Sequence, residues 1–117
     1  MSDRPVALVI DDEPDIRELL EITLNRMQVE TQCAENLAQA RSLLATEDFD
    51  LCLTDMRLPD GNGIDFVRHI QQTKPDIPVA MITAHGNMES AIDALKAGAF
   101  DFVSKPVDLQ ILRDLVS

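Results

Sequence analysis

Five short apolar runs alternate with five segments of helical periodicity, and this alternation limits the fold more than any other feature of the chain. We expect the central strands to be apolar throughout, whereas in the second run Val29, Thr31 and Cys33 alternate with polar residues, as on an edge strand. A helix after each strand returns the chain so that the next strand is parallel. We therefore predict an α/β fold, (βα)5, with a doubly wound, parallel five-stranded sheet covered by helices on both faces. The apolar runs are residues 6–10, 29–33, 49–53, 79–82 and 100–103.

Residues suited to helix ends support these boundaries. Pro14 suits the first turn of the first helix. Asn36 and Asp108 can cap the second and fifth helices through their side-chain oxygens. Gly98 is expected just after the end of the fourth helix, where a left-handed conformation is common.

Two further segments carry structural expectations. Residues 56–63, MRLPDGNG, are dense in turn formers, so we expect a loop with Pro59-Asp60-Gly61 as a simple turn. The fourth helix has an apolar stripe that we expect to pack against the fold, although such a helix is often a partner surface. Its residues are Met88, Ala91, Ile92 and Leu95.

The composition indicates one globular domain with a strongly acidic surface. The 117 residues fit a single domain, and 45% of them are hydrophobic. The formal net charge of -11 disfavours binding to nucleic acid or anionic lipid, because phosphate contacts need Lys and Arg. No apolar run approaches the ~20 residues of a membrane span. We expect neither nucleic acid nor membrane as a partner of this chain, and we expect divalent cations and basic protein surfaces to suit it.

The cysteines indicate a reducing compartment. Cys33 and Cys52 lie in apolar, strand-like surroundings and form no C-x-x-C pair, so structural thiols are favoured over redox or metal roles. The N-terminus has no signal-peptide pattern. We therefore expect a cytoplasmic location.

Polar residues follow four of the five predicted strands. Asp11 and Asp12 follow the first strand, Asp55 the third, Thr83 the fourth, and Lys105 comes shortly after the fifth. Because ligands of open parallel sheets bind at the carboxyl ends of the strands, these residues are predicted to form one site.

The residue types at this edge indicate phosphoryl chemistry. Clustered carboxylates must share protons or hold a cation, and oxygen ligands without Cys or His favour Mg²⁺ over zinc. An aspartate such as Asp55 can attack phosphorus. Lys105 would supply a point charge and Thr83 a hydroxyl donor for phosphoryl oxygens.

Together with the Lys105-Pro106 pair, these residues resemble the bacterial response-regulator receiver domain over essentially all 117 positions. The resemblance implies a flavodoxin-like, CheY-like sheet of order 2-1-3-4-5. It implies that Asp55 accepts a phosphoryl group from the phosphohistidine of a sensor histidine kinase. It also implies Mg²⁺ bound by Asp12, Asp55 and the backbone carbonyl of Arg57, with Asp11 acting through water.

The resemblance further implies a conformational switch. Thr83 would move towards the phosphoryl group, and Phe102 would fill the space that it leaves. Many receivers have tyrosine where this sequence has Phe102, so a switch that needs the tyrosine hydroxyl is excluded. The peptide bond between Lys105 and Pro106 is expected to be cis.

Longer stretches of the sequence resemble particular classes within the receiver family. LTDMRLPDGNGIDFV and MITAHGNMESAIDALKAGAFDFVSKP are similar to receivers of the NtrC class of sigma-54-dependent activators, which carry an AAA+ ATPase and a DNA-binding domain. DDEPDIRELLEITLNRM and DFDLCLTDMRLPDG resemble the PilR branch, which controls type IV pilin transcription. We therefore expect residues 1–117 to be the N-terminal receiver of a longer regulator. It would dimerise through its helices and act as a phosphoacceptor rather than an enzyme.

Three other functions stay open on the sequence alone. A flavodoxin-like cofactor module would need a phosphate-binding loop after the first strand, where DDEPD would repel phosphate. A phosphohydrolase with an aspartate nucleophile commonly has a second acid two positions later, where this chain has Arg57. A degenerate receiver would act as an interaction module without being phosphorylated.

Overall fold

The computed structural model describes residues 4–84 and 87–116, and it has the predicted alternation of strands and helices. The strands are β1 (Val6–Ile10), β2 (Glu30–Ala34), β3 (Leu51–Thr54), β4 (Arg57–Leu58), β5 (Gly61–Asn62), β6 (Val79–Thr83) and β7 (Asp101–Ser104). The helices are α1 (Pro14–Arg26), α2 (Leu37–Thr46), α3 (Gly63–Thr73), α4 (Met88–Ala97) and α5 (Leu109–Val116).

The main sheet is parallel, with the order β2-β1-β3-β6-β7. Counting only the strands of this sheet, the order is 2-1-3-4-5, which confirms the expected flavodoxin-like fold. Strand β2 lies at one edge, as its alternating pattern predicted. The register pairs Ile10 with Thr54 and Thr83 with Ser104, so the carboxyl ends of these strands meet at one edge of the sheet.

The two faces of the sheet bury separate apolar clusters. Leu8 and Ile10 of β1 face α2, α3 and α4, whereas Ala7 and Val9 face α1 and α5. Each of these four side chains is at most 1% exposed. A buried side chain of the size of Leu contributes about 1.5–3 kcal/mol, so this central strand anchors both layers.

The predicted helix ends are confirmed. Pro14 stands in the first turn of α1. The side chain of Asn36 accepts the N–H of Gln39 at 2.8 Å, and that of Asp108 accepts the N–H of Gln110 at 2.8 Å. Gly98 ends α4 with a φ of 123°, a conformation that an L side chain rarely adopts.

The expectation that the large apolar residues of α4 pack inward is wrong. Met88 is 81% exposed, Ile92 44% and Leu95 49%, while Ala94 is fully buried. The helix has a face of small apolar residues beside a face of large ones, and the small face lies against the fold. The apolar pattern alone does not distinguish these two faces.

The segment 56–63 is more ordered than a plain loop. Arg57 pairs with Asn62 and Leu58 with Gly61, so β4 and β5 form a short antiparallel hairpin. The predicted turn residues Pro59 and Asp60 lie between its strands. This hairpin leads directly from Asp55 to α3.

None of the described helices combines the length and apolar character that a membrane crossing requires.

Candidate functional site

Two buried aspartates lie side by side at the carboxyl edge of the sheet. The N–H of Asp11 donates to the carbonyl of Ala34 at 3.1 Å, and the N–H of Asp55 donates to the carbonyl of Ile10 at 2.9 Å. The sheet hydrogen bonds therefore continue past the strand ends and fix both backbones. Asp11 is 2% exposed and Asp55 5%, whereas Asp12 is exposed.

The three predicted metal-binding side chains form one group. Asp11, Asp12 and Asp55 each present a carboxylate oxygen, and these oxygens lie within 4.8 Å of one another. This set suits Mg²⁺, which takes one or two protein carboxylates and keeps several waters. Asp12 is exposed, so one side of the group is open to solvent.

Lys105 inserts its ammonium group between the two buried carboxylates. Its Nζ lies 2.8 Å from Asp11 Oδ2 and 3.1 Å from Asp55 Oδ2. The lysine side chain is only 7% exposed. The N–H of Lys105 donates to the carbonyl of Thr83 at 2.9 Å, which aligns the lysine with the neighbouring strand.

Burial and pairing shift the pKa values of the charged groups in the site. Burial raises the pKa of Asp11 above its ordinary value, and the hydrogen bond from Lys105 offsets only part of that effect. Burial alone would lower the pKa of Lys105, but its hydrogen bonds and charge interactions with Asp11 and Asp55 outweigh burial and raise it. The ammonium is therefore charged at neutral pH, and it is shared by Asp11, Asp55 and, at 3.8 Å, Glu13 Oε2. Because one positive charge faces several carboxylates, a further cation would be stabilising.

The carboxylate of Asp55 is held at both oxygens. Its Oδ1 accepts the N–H of Met56 at 2.7 Å, and its Oδ2 accepts from Lys105 Nζ at 3.1 Å. Gly63 packs on the backbone behind it, since a Cβ there would lie 2.1 Å from the carbonyl oxygen of Asp55. The N–H of Gly63 also donates to the carbonyl of Met56 at 2.7 Å. The carboxylate is thus fixed from the side chain and from the main chain.

The other predicted residues lie around this centre. Thr83 is fully buried at the end of β6, and Phe102 is half-buried on β7, where it pairs with Met81. The Lys105–Pro106 peptide bond is cis, the geometry that the resemblance implied. Arg57 begins β4 two positions after Asp55, and metal binding by its carbonyl stays a prediction.

Sequence reasoning missed two supporting residues. Arg17 Nη1 donates to the carbonyl of Asp11 at 2.6 Å and so fixes the chain between β1 and α1. Asp60, expected only to form a turn, accepts hydrogen bonds from Leu37 and Ala38 of α2. The Asp60 contact joins segments 22 or 23 positions apart, so no local pattern marks it. The Arg17 contact spans six positions, but its partner is a backbone carbonyl, which no sequence pattern identifies.

The cysteines lie outside the site and are poorly reactive. Burial and the neighbouring carboxylate of Glu21 raise the pKa of Cys33 to about 11. Burial also raises the pKa of Cys52. Both thiols are therefore protonated at neutral pH, which fits the predicted structural role.

Comparison with known sequences agrees with this geometry. Residues 7–117 match the response regulator receiver domain family. The chain is 67% identical over 114 residues to response regulator protein PilR of Pseudomonas aeruginosa, a match that covers 97% of this chain and 26% of PilR. It is 37% identical over 109 residues to regulatory protein AtoC of Escherichia coli, covering 93% of this chain and 24% of AtoC. The chain thus spans about a quarter of the length of these relatives.

Solved structures give the same result. A response regulator receiver protein from Pseudomonas putida superposes with a TM-score of 0.91 at 30% identity, covering 99% of this chain and 98% of that one. The beryllofluoride-activated NtrC4 receiver domain dimer superposes with a TM-score of 0.87 at 32% identity, covering 95% and 90%. The match over residues 7–117 and the resemblance to PilR show that this chain belongs to the response regulator receiver domain family and is of the PilR and NtrC type.

Proposed function

We propose that this chain is a phosphoacceptor that receives a phosphoryl group on Asp55 from the phosphohistidine of a sensor histidine kinase. One observation carries the proposal: Asp55 is buried, bonded to Lys105, and grouped with Asp11 and Asp12 within 4.8 Å. Such an arrangement of a nucleophile, a cation and further carboxylates is what phosphoryl transfer requires.

The chain's own residues supply the groups for the transfer. An oxygen of Asp55 forms a bond to phosphorus while the bond from phosphorus to the donor nitrogen breaks and the histidine keeps that electron pair. Mg²⁺ held by Asp12, Asp55 and the Arg57 carbonyl, with Asp11 acting through water, would neutralise charge on the transferring group. Lys105 already lies 3.1 Å from Asp55 Oδ2, so its ammonium can pair with an oxygen of the new phosphoryl group.

The phosphoryl group then biases a two-state equilibrium between resting and activated conformations. Thr83 lies at the end of the strand beside Asp55, and its hydroxyl would bond to a phosphoryl oxygen. Phe102 is only half-buried, so its ring can gain burial when Thr83 moves. This change would alter the surface formed by α4, β7 and α5.

That altered surface would control an output outside this chain. The length and names of the relatives support placing the chain as the N-terminal receiver of a longer regulator. We infer a cytoplasmic transcription activator with a sigma-54-dependent AAA+ ATPase and a DNA-binding domain, acting on type IV pilus genes. The chain itself signals rather than turning over a substrate.

Intact-mass spectrometry after incubation with acetyl phosphate tests the phosphoacceptor role. The wild-type chain should gain one phosphoryl group in Mg²⁺ and none in EDTA. Asp55→Asn should abolish the gain. Asp65→Asn is the matched control, because Asp65 is an exposed residue of α3 paired only at the surface with Arg68 at 2.8 Å, and this variant should be labelled normally.

Labelling of Asp55→Asn would place the acceptor elsewhere and contradict the proposal. A wild-type chain that is never labelled would support the degenerate interaction module, and rapid repeated release of phosphate from esters would support the phosphohydrolase. Flavin absorbance of the purified chain would support the cofactor module.

We also propose that activation makes the chain dimerise through α4, whose exposed apolar residues form a contact surface. Sedimentation with Mg²⁺ and beryllofluoride should show a dimer that Ile92→Glu disrupts. Ile22→Glu on α1 is the matched control, because Ile22 and Ile92 are both 44% exposed. Equal loss of dimer in the two variants would contradict the use of α4.

A further inference from the structure

The first turn of α2 is capped by a residue from the site hairpin. The N–H groups of Leu37 and Ala38 donate to Asp60 Oδ1 at 2.8 Å and Oδ2 at 2.9 Å. The third N–H, from Gln39, donates to Asn36. The opening N–H groups of a helix lack partners within the helix, so a single distant carboxylate satisfies two of them here.

A second contact joins the same two elements. A Cβ on Gly61 would lie 2.8 Å from Leu37 Cδ1, and Leu37 is 3% exposed. The tip of the hairpin therefore packs on the first residue of α2 without spare room. Polar and apolar contacts together fix the tip to the helix.

The base of the same hairpin is fixed at Asp55. Gly63 packs on the carbonyl of Asp55, and Arg57 pairs with Asn62 at the start of the hairpin. Only four residues separate Arg57 from Asn62, so the tip and the backbone of Arg57 belong to one short, paired unit. Hydrogen bonds from Leu37 and Ala38 lower the pKa of Asp60, so its carboxylate is charged at neutral pH and its bonds are charge-assisted.

We propose that Asp60 is a positioning residue for the metal site: by fixing the hairpin tip to α2, it holds the backbone carbonyl of Arg57 where it can bind Mg²⁺ beside Asp55. This inference rests on the proposed phosphoacceptor function. It adds α2 to the structure on which metal binding depends. By thermodynamic linkage, Mg²⁺ binding must in turn stabilise the Asp60–α2 contact.

The competing explanation is that Asp60 caps α2 and does nothing else. Asp60→Ala and Asn36→Ala separate the two explanations, because each removes hydrogen bonds from the same end of α2. Only Asp60→Ala releases the hairpin. Both variants should lower the melting temperature, and this loss alone says nothing about metal.

The experiment is a Mg²⁺ titration of the ¹⁵N-labelled chain followed by NMR. Asp60→Ala should weaken Mg²⁺ binding about tenfold, the low end of the effect seen for residues that orient metal ligands. Asn36→Ala should bind as the wild type does. Asp60→Asn keeps one acceptor oxygen and should be intermediate, which also covers the case in which the alanine variant folds poorly.

Hydrogen exchange gives a readout that does not depend on phosphorylation. Mg²⁺ should slow exchange of the Leu37 and Ala38 amides in the wild type, less in Asp60→Asn, and not in Asp60→Ala. Equal Mg²⁺ affinities in the wild type, Asp60→Asn and Asn36→Ala would overturn this inference but not the proposed function. Equal weakening of Mg²⁺ binding in Asp60→Asn and Asn36→Ala would do the same. A wild-type chain without Mg²⁺ affinity would overturn the proposed function together with it.

Discussion

Replacing Asp12 with asparagine should make the metal-free chain more stable and the metal-bound chain less so. The carboxylate oxygens of Asp11, Asp12 and Asp55 lie within 4.8 Å of one another, so Asp12 takes part in two repulsive pairs. Because Asp12 is exposed, each pair costs only about 1 kcal/mol, the value for bulk water. Attraction to Lys105 offsets part of this sum, which leaves a gain of about 1 kcal/mol for Asp12→Asn.

Thermal unfolding in EDTA and in Mg²⁺ measures the effect of Asp12→Asn on the stability of the metal-free and the metal-bound chain. A gain of about 1 kcal/mol should raise the melting temperature of Asp12→Asn by about 4 °C in EDTA. At a free Mg²⁺ concentration ten times the dissociation constant, the wild type should gain about 1.4 kcal/mol. The variant has lost a ligand and should gain much less, so the order of stability reverses.

Asp15→Asn is the control for net charge, because Asp15 is an exposed acid in the first turn of α1. The negative charge of Asp15 interacts favourably with the positive N-terminal end of the α1 dipole. Replacing Asp15 with asparagine should therefore leave the stability of the chain unchanged or lower it slightly. Equal stabilisation by Asp12→Asn and Asp15→Asn would refute the argument from the pocket. So would a Mg²⁺ response that is the same in Asp12→Asn as in the wild type.

Three further perturbations test other parts of the site. Lys105→Met should lower the free energy of unfolding by about 3 kcal/mol in urea without metal, because it leaves Asp11 and Asp55 buried without their cation. A negligible loss of stability would contradict the pairing. Gly63→Ala should lower the free energy of unfolding by about 2 kcal/mol and slow phosphorylation, because the new Cβ would overlap the Asp55 carbonyl. An unchanged melting temperature would show that the backbone can shift to relieve the overlap without loss of stability. The bonds from Leu37 and Ala38 lower the folded-state pKa of Asp60 below its ordinary 3.8, so its stabilising effect is present above that value and is lost as pH falls through the folded-state pKa. The stability difference between wild type and Asp60→Ala should therefore be constant near neutral pH and shrink in acid; a difference that widens in acid would contradict this sign.

The main sheet and the centre of the site could be predicted because their signals are local. An apolar run of about five residues indicates a strand, and parallel connections bring the strand ends to one edge. The sequence alone therefore predicts that Asp11, Asp12, Asp55 and Lys105 lie together. Their distances then depend on the sheet register, which the strand pattern largely determines.

Other features depend on contacts that no local pattern encodes. Asp60 bonds to α2 across 22 or 23 positions of sequence, so it could be predicted only as a turn residue. The two-residue strands β4 and β5 are too short to show periodicity. The rotation of α4 about its own axis depends on whether its small or its large apolar face packs against the fold. The small face does so, since Ala94 is buried and Ile92 is exposed.

These differences bear on how the domain signals. The large apolar side chains of α4 remain exposed, so the helix presents contact area that the fold itself does not use. Asp12 adds a third carboxylate to the group of Asp11 and Asp55, and the single ammonium of Lys105 does not balance their charge, so a bound divalent cation would relieve electrostatic repulsion. The carboxylate of Asp12 is therefore expected to favour Mg²⁺ binding while lowering the stability of the metal-free chain, and Asp12→Asn tests both effects.

The proposed metal site would bind one divalent ion jointly through Asp12 and Asp55 beside Lys105. The most direct measurement is a crystal structure grown with Mn²⁺ in place of Mg²⁺, in which anomalous scattering locates the ion. We predict a single site in contact with the carboxylates of Asp12 and Asp55 and the carbonyl of Arg57. An ion that contacts only one of the two carboxylates, or that lies elsewhere on the acidic surface, would contradict the account.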